Sequence, residues 1–337
     1  MEYNMIKSIR ETPGILKNLK IGEEVERILE NDFNRVIFIG CGSSYFSSLA
    51  GAYVLNKVSN NIQTFALPAS EFMFHFVKKA KNSLVIASSR SGNTAEVIEA
   101  IKLAKQEGTI VIGVTCNEGS KITEVSDFLV IAENAEEPNI PATKSFSAIT
   151  YILQKIAIKL TRAEELEKEL EKMPNVVKSI LKNEAKYKKL AEELAEKEAF
   201  IHLGSGSGYV AALEGALKIR ETTYTLNEVF PALEFRHGPI ALTNHGDKFG
   251  YFVTAPKTNR FDAVLRIFKE IEHLKPILIT NSNLDYPNII RTPWQGDESL
   301  AVIPAVLPFQ IIAYYLSIFK GYDPDSPKKL VKFVDRF

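Results

Sequence analysis

The chain has 337 residues, 45% of them hydrophobic, which is enough to bury a large core and favours two domains over one. Lys plus Arg and Asp plus Glu balance at 41 each, so no net charge advertises a nucleic-acid or anionic-membrane partner, and any anion must be caught locally. Two cysteines, Cys41 and Cys116, exclude a disulfide framework, and no His or Cys cluster has metal-ligand spacing, so neither a metal nor a cofactor is expected and the location reads as cytoplasmic.

From about residue 36 apolar strands alternate with helical patterns, which predicts parallel sheets built of strand-helix-strand units. The first unit, "VIFIGCGSSYFSSLAGAYVLNK" (36–57), is a strand, a Gly-x-Gly-Ser turn and a helix. Its turn offers Cys41, Gly42, Ser43 and Ser44 at a helix N-terminus. Tyr45 breaks the Gly-x-Gly-x-x-Gly fingerprint of dinucleotide binding, and no Gly-Lys-Ser/Thr triphosphate loop occurs.

The next unit carries "IASSRSGNTAEVIEAIKLAKQEG" (86–108), where a buried strand runs into Ser89, Arg90, Ser91, Gly92, Asn93 and Thr94 and then into an amphipathic helix. N-capping needs one hydroxyl, whereas this turn has several around a glycine that permits close approach. Backbone N–H groups at a helix start favour an anion, so a phosphate is the expected guest. Two hydroxyl-rich turns at the carboxyl ends of neighbouring parallel strands suggest one small phosphorylated ligand.

Residues 161–199 are rich in Glu and Lys and read as two connecting helices broken near Pro174, with a solvated charged face. Beyond them "FIHLGSGSGYVAALEGALKIRE" (200–221) aligns without a gap against 36–57, so one unit is used twice. His202 takes the place of Phe38 and is expected to pack within its strand. The copies diverge in chemistry. The turn "TAPKTNR" (254–260) lacks the serine pattern, whereas Glu214, Lys218 and Glu221 share one helical face where the first copy has Ala50, Val54 and Lys57. The surrounding residues are small or apolar, so these charges should be buried and paired, as candidate acid-base groups. His237, before Gly238-Pro239, is a candidate proton carrier. The stretch 300–319 is nearly long and apolar enough to span a bilayer, but Pro304, Pro308 and Gln310 favour a buried helix, so no membrane partner is expected.

Taken in order, "CGSSY", "SRSGNTAE", "PATKSF", "LEGALKIRETTY", "EFRHGPIAL" and "GYDPDSPKKLVKFV" resemble the sugar isomerase (SIS) domain family, and within it the isomerase half of glucosamine-6-phosphate synthase. The resemblance covers nearly the whole chain. It implies an α/β fold of two tandem SIS domains, at 1–165 and 166–337, each a parallel sheet flanked by helices in a flavodoxin-like or Rossmann-like three-layer sandwich. It implies a phosphate cradle at Ser43, Ser44, Ser89, Ser91 and Thr94, a C1–C2 proton shuttle at Glu221 and a ring-opening histidine at His237 supplied from the neighbouring subunit. An imine-forming lysine falls on Lys332, Lys218 and Glu214 fall near the sugar, and the assembly would be a homodimer with composite sites.

Arg90 replaces the glutamine usual in the synthase it resembles and would add a cation beside the phosphate, Asn93 replaces a glutamate, and Ala142 stands where the synthase has a substrate-contacting serine. The match begins near the N-terminus, so a glutaminase domain is not expected before it, and ammonia would be scarce beside water. The expected reaction is therefore conversion of glucosamine 6-phosphate to fructose 6-phosphate and ammonia. Rivals are another phosphosugar isomerisation, deglycation of fructosamine 6-phosphates, a synthase subunit fed by a separate glutaminase, and a non-catalytic sugar-phosphate sensor.

Overall fold

The computed structural model describes residues 2–259 and 261–336, which form two compact units. The N-terminal unit is Glu11–Pro174 with the tail from Val331, and the C-terminal unit is Asn175–Leu330 with the segment ending at Arg10.

In the N-terminal unit the strands are β1 (Arg35–Gly40), β2 (Gln63–Pro68), β3 (Leu84–Ser88), β4 (Ile110–Thr115) and β5 (Phe128–Ile131). They lie parallel in the order β2-β1-β3-β4-β5. The central strands are buried along their length, as expected of a parallel sheet covered on both faces. Ile37, Ile39, Val85 and Val111 pack with Val97 and Ile101 of the helix Ala95–Gln106 on one face. Phe38 points to the other, where the helix Ser43–Val58 packs against the helix Lys144–Thr161.

The C-terminal unit repeats this plan. Its strands β6 (Ala199–Gly204), β7 (Leu226–Pro231), β8 (Phe249–Thr254), β9 (Ile277–Thr280) and β10 (Ile289–Arg291) run parallel in the order β10-β9-β8-β6-β7, the same sequence of positions as the first sheet. The repeated strand-turn-helix is the helix Ser207–Thr223 after β6, packed on the helix Val302–Phe319.

Equivalent glycines explain why the unit survived duplication. A Cβ on Gly51 would stand 2.9 Å from the Phe38 ring and 3.0 Å from Leu153, and a Cβ on its counterpart Gly215 would stand 2.4 Å from the Phe309 ring. Each glycine thus lets its helix approach the layer beneath it. Gly42 and Gly206 share a second constraint, with φ of 53° and 60° and ψ of −126° and −130° directly before their helices, a backbone that residues with a Cβ rarely adopt.

The helix of 302–319 is apolar all round because it is buried all round, without a break from Val302 to Tyr314. The 161–199 segment departs from expectation. Besides the expected break near Pro174 it has a second, so it forms three helices, Glu164–Leu170, Met173–Leu181 and Glu184–Glu193. Pro174 lies in the first turn of the second, where its missing N–H has no intrahelical role, so it opens a helix rather than ending one. Nor is the last of these helices simply solvated, because Tyr187 and Ala191 are buried and Glu184 accepts a forked pair of hydrogen bonds from Arg10.

His202 is a core residue, as its alignment with Phe38 predicts. It is fully buried, its ring stacks on Phe252 at 5.0 Å, and its Nε2 lies 2.7 Å from Asn227 Oδ1. Since the Asn227 amide nitrogen donates to Thr225, its Oδ1 is the acceptor and His202 Nε2 carries the proton. Burial pushes the imidazole pKa down to about 4, with the Asn227 hydrogen bond opposing it and the Arg220 charge adding to it. The unfolded chain, near 6.5, binds the proton first as pH falls, so the stability held above pH 6.5 drains away toward pH 4, by about 3 kcal/mol in total. Trp294 is buried in the same unit and reports its unfolding by fluorescence. The stability difference between wild type and His202→Phe, from urea unfolding at several pH values, is expected to shift by that amount between pH 6.5 and 4. A pH-independent difference would refute the assignment.

Candidate active site

Open sheets of this strand order bind ligands outside the carboxyl ends of the strands on either side of the point where the order reverses, here β1 and β3. Both hydroxyl-rich turns leave from those two ends. They are pinned together by Ser88, whose buried hydroxyl lies 3.3 Å from the Ile39 carbonyl, 3.2 Å from that of Ser44 and 3.3 Å from Ser48 Oγ.

The β3 turn is self-organised. Ser89 Oγ and Thr94 Oγ1 are 3.0 Å apart, the Gly92 amide donates to Ser89 Oγ at 3.1 Å, and the Asn93 amide donates to Ser91 Oγ at 3.2 Å. A hydroxyl that accepts from an amide still has its proton to donate, so the bonds that shape the turn leave Ser91 able to donate to an anion. Gly92 is obligatory, since its φ is +66° and a Cβ would fall 1.9 Å from Ser120 Oγ. Asn93 ties the turn to the next loop by accepting from the Lys121 amide at 3.0 Å. Thr94 occupies the N-cap position but its side chain makes no capping bond, its hydroxyl facing Ser89 instead. The simple capping role therefore does not account for the turn.

In the β1 turn Gly42 takes the positive φ, Ser43 opens the helix and Ser44 is nearly buried. The Cys41 thiol is pushed up to about 11 by burial, with the Glu96 charge adding to the effect, so it stays protonated near neutrality and is a poor nucleophile. Ala142, on the loop after β5, is buried.

Arg90 does not point its guanidinium into open space. Nη1 donates to the Ile140 carbonyl at 2.7 Å and Nη2 to the Lys332 carbonyl at 2.9 Å. Lys332 in turn places Nζ 2.9 Å from Glu136 Oε1.

Two acidic residues not picked out from the sequence organise this region. Besides Glu136, the buried Glu137 accepts from the amide of Thr143 at 2.7 Å, from the hydroxyls of Thr143 and Ser145, and from the Asn139 side chain at 3.2 Å. The doubled glutamate between a strand and a proline-bearing loop was the available signal, since an acidic side chain at such an edge can collect the loop's amides.

In the C-terminal unit the helix Ser207–Thr223 brings Glu214, Lys218 and Glu221 together as their spacing predicts. Lys218 Nζ is 2.6 Å from Glu221 Oε2 and 3.3 Å from Glu214 Oε1. Lys218 and Glu214 are fully buried, whereas Glu221 keeps 20% of its side chain exposed. One carboxylate is therefore structural in position and the other is accessible from outside, both anchored on a single ammonium. His237 is exposed, at the end of the short turn Glu234–Arg236. The counterpart turn after β8 carries Lys257 with its amide on Asn281, and Arg260 lies outside the described residues. No group of three or more metal-binding side chains occurs among the described residues.

The SIS domain model matches residues 31–159 and 193–286, about two thirds of the chain. The chain belongs to the SIS domain family. It is 32% identical to the glutamine–fructose-6-phosphate aminotransferase (isomerizing) of Thermococcus kodakarensis over 98% of its own length and 57% of that protein. The same enzyme of Pyrococcus horikoshii is 32% identical, with 99% of this chain and 58% of the relative covered, so the SIS chain spans somewhat over half the length of these relatives. Among solved structures, the C-terminal domain of glucosamine-fructose-6-phosphate aminotransferase from Francisella tularensis superposes with a TM-score of 0.84 at 23% identity, covering 97% and 99% of the two chains. The glucosamine-6-phosphate deaminase of Thermotoga maritima superposes with a TM-score of 0.77 at 29% identity, covering 98% and 99%.

Within this SIS fold the buried ammonium is what holds two carboxylates together. Lys218→Met is expected to cost about 3–5 kcal/mol, because it removes the buried ammonium that pairs with the buried Glu214 carboxylate. Adding Glu214→Gln should recover part of the loss in urea unfolding followed by Trp294 fluorescence. Equal stability of the single and double variants would show that the ion pair is not the source of the cost.

Proposed function

We propose that this SIS protein is a phosphosugar isomerase of the deaminating kind, converting glucosamine 6-phosphate and water to fructose 6-phosphate and ammonia. The observation that carries the reading is the partly exposed Glu221 carboxylate held 2.6 Å from the buried Lys218 ammonium, a fixed base with its outer edge open. The hydroxyl-rich turn at Ser89, Ser91 and Thr94, with Ser43 and Ser44, supplies the donors that a 6-phosphate requires. The 29% identity with a glucosamine-6-phosphate deaminase supports the direction of reaction.

In this reading His237 assists opening of the sugar ring. Glu221 then takes the proton from C2 and returns it to C1, while the C1 oxygen gains a proton and the amine nitrogen loses one, so that the C1 aldehyde becomes an alcohol and the C2 amine an imine. Water adds to that imine carbon and ammonia leaves, giving the ketose phosphate. Lys218 keeps the carboxylate in place through the transfer, and Lys332 engages the open-chain skeleton. The exposed position of His237 supports its working in the site of a neighbouring subunit, and so supports a homodimer. A cytoplasmic setting belongs to the same reading.

The second reading runs the shared isomerisation toward the amino sugar with ammonia from a glutaminase, and it is favoured by the 32% identity to the aminotransferases. The purified protein given glucosamine 6-phosphate should release ammonia and fructose 6-phosphate in equal amounts. Product formation only from fructose 6-phosphate with an ammonia source would favour the second reading instead. In either direction Glu221→Gln should lower kcat by a factor of about 10²–10⁴ with sugar-phosphate binding retained, and an unchanged kcat would remove Glu221 from the proton transfer.

A further inference from the structure

We infer that Arg90 is a positioning residue that latches the C-terminal tail, with Lys332 on it, onto the serine turn of the N-terminal unit. The tail has little apolar burial to hold it: Val331, Phe333 and Val334 expose 66%, 39% and 49% of their surface. Its attachments are polar. Arg90 Nη2 donates to the Lys332 carbonyl, the amide of Ala95 donates to the Val334 carbonyl at 3.0 Å, and Lys332 Nζ pairs with Glu136. Of these the Lys332–Glu136 pair is solvent-exposed and of the kind that contributes little, whereas the Arg90 bond is charge-assisted and part-buried.

The other arm of the guanidinium reaches the Ile140 carbonyl, on the loop whose following residues are held by the buried Glu137. A planar fork of five N–H donors can bridge two carbonyls on separate segments, which a shorter amide with two donors cannot do at the same span. The positive charge in the turn is thus directed at main-chain carbonyls rather than offered whole to a ligand. The Ala95 amide is the first of the helix that follows the turn, so docking of the tail also fills the helix end beside Ser89, Ser91 and Thr94.

That the latch matters for turnover rests on the role given above to Lys332, whereas the latch itself does not. Two measurements on the full chain keep these apart. In hydrogen exchange the Ala95 amide of Arg90→Gln should exchange about tenfold faster than wild type, and trypsin should cut after Lys332 faster by a similar factor. Arg90→Lys, which keeps the charge without the fork, should show an intermediate change. Unchanged exchange and cleavage in a folded Arg90→Gln protein would overturn the latch whatever the activity. With glucosamine 6-phosphate, the latch predicts a fall in kcat with KM for the sugar phosphate and the inhibition constant for inorganic phosphate within about twofold of wild type. A tenfold loss of phosphate affinity with the tail still protected would instead make Arg90 a phosphate ligand and overturn the proposal. Absence of turnover in wild type, with the exchange and cleavage changes intact, would refute the deaminase reading and leave the latch standing.

Discussion

Parallel strands covered on both faces can offer polar side chains to a ligand only at their ends, since a polar group within them must be neutral and hydrogen-bonded, and that constraint organises much of this molecule. The central strands of both sheets are closed to water along their length, so each turns polar where it leaves the sheet. The reversal of strand order then separates the turns after β1 and β3 from the helices that would otherwise cover them. Gly42 and Gly206 allow the chain to turn into the helix directly from the strand, and Gly51 and Gly215 let that helix lie close on the layer below. The scaffold is therefore rigid at the places where side-chain chemistry is displayed.

Duplication of this scaffold separates two kinds of chemistry. The N-terminal copy kept small apolar residues, Ala50 and Val54, on the helix face where the C-terminal copy carries Glu214 and Lys218, and it spent its polar residues on the β3 turn. The C-terminal copy did the reverse. A buried lysine with two carboxylates is tolerated there because the ammonium compensates both, and because Glu221 is not wholly desolvated. Where the first copy places Phe38 the second places His202, which the sheet accepts only as a neutral ring hydrogen-bonded to Asn227.

The repeat, the strand-helix-strand units, the serine turn and the charged helix face were all legible in the sequence, because each is a local pattern of at most a few dozen residues. His202 was legible through its alignment with Phe38. Pro174 marked the first break in this helical middle, but nothing in the Glu- and Lys-rich run signalled the second, between Leu181 and Glu184. The role of Arg90 was hidden for a different reason: its partners are 50 and 242 residues away, and they are carbonyls, which carry no residue identity. Glu137 was hidden likewise, since what it binds are amides and hydroxyls of a loop that only the fold brings round it.

These hidden interactions form a chain of support with a definite direction. Glu137 is buried and multiply hydrogen-bonded, so the segment from Asn139 to Ser145 has little freedom. Ile140 lies within that segment and offers a fixed carbonyl to Arg90, whose own backbone carbonyl is held by the Cys116 amide and the Thr115 hydroxyl. With both ends of its side chain constrained, the guanidinium retains little entropy to lose when it meets the carbonyl of Lys332. A flexible lysine at position 90 would have to be ordered by the tail itself, and an exposed tail has little apolar area with which to do so. The identity of residue 90 is thus coupled to the weak burial of residues 331–334, a dependence that follows from energetics rather than from any motif.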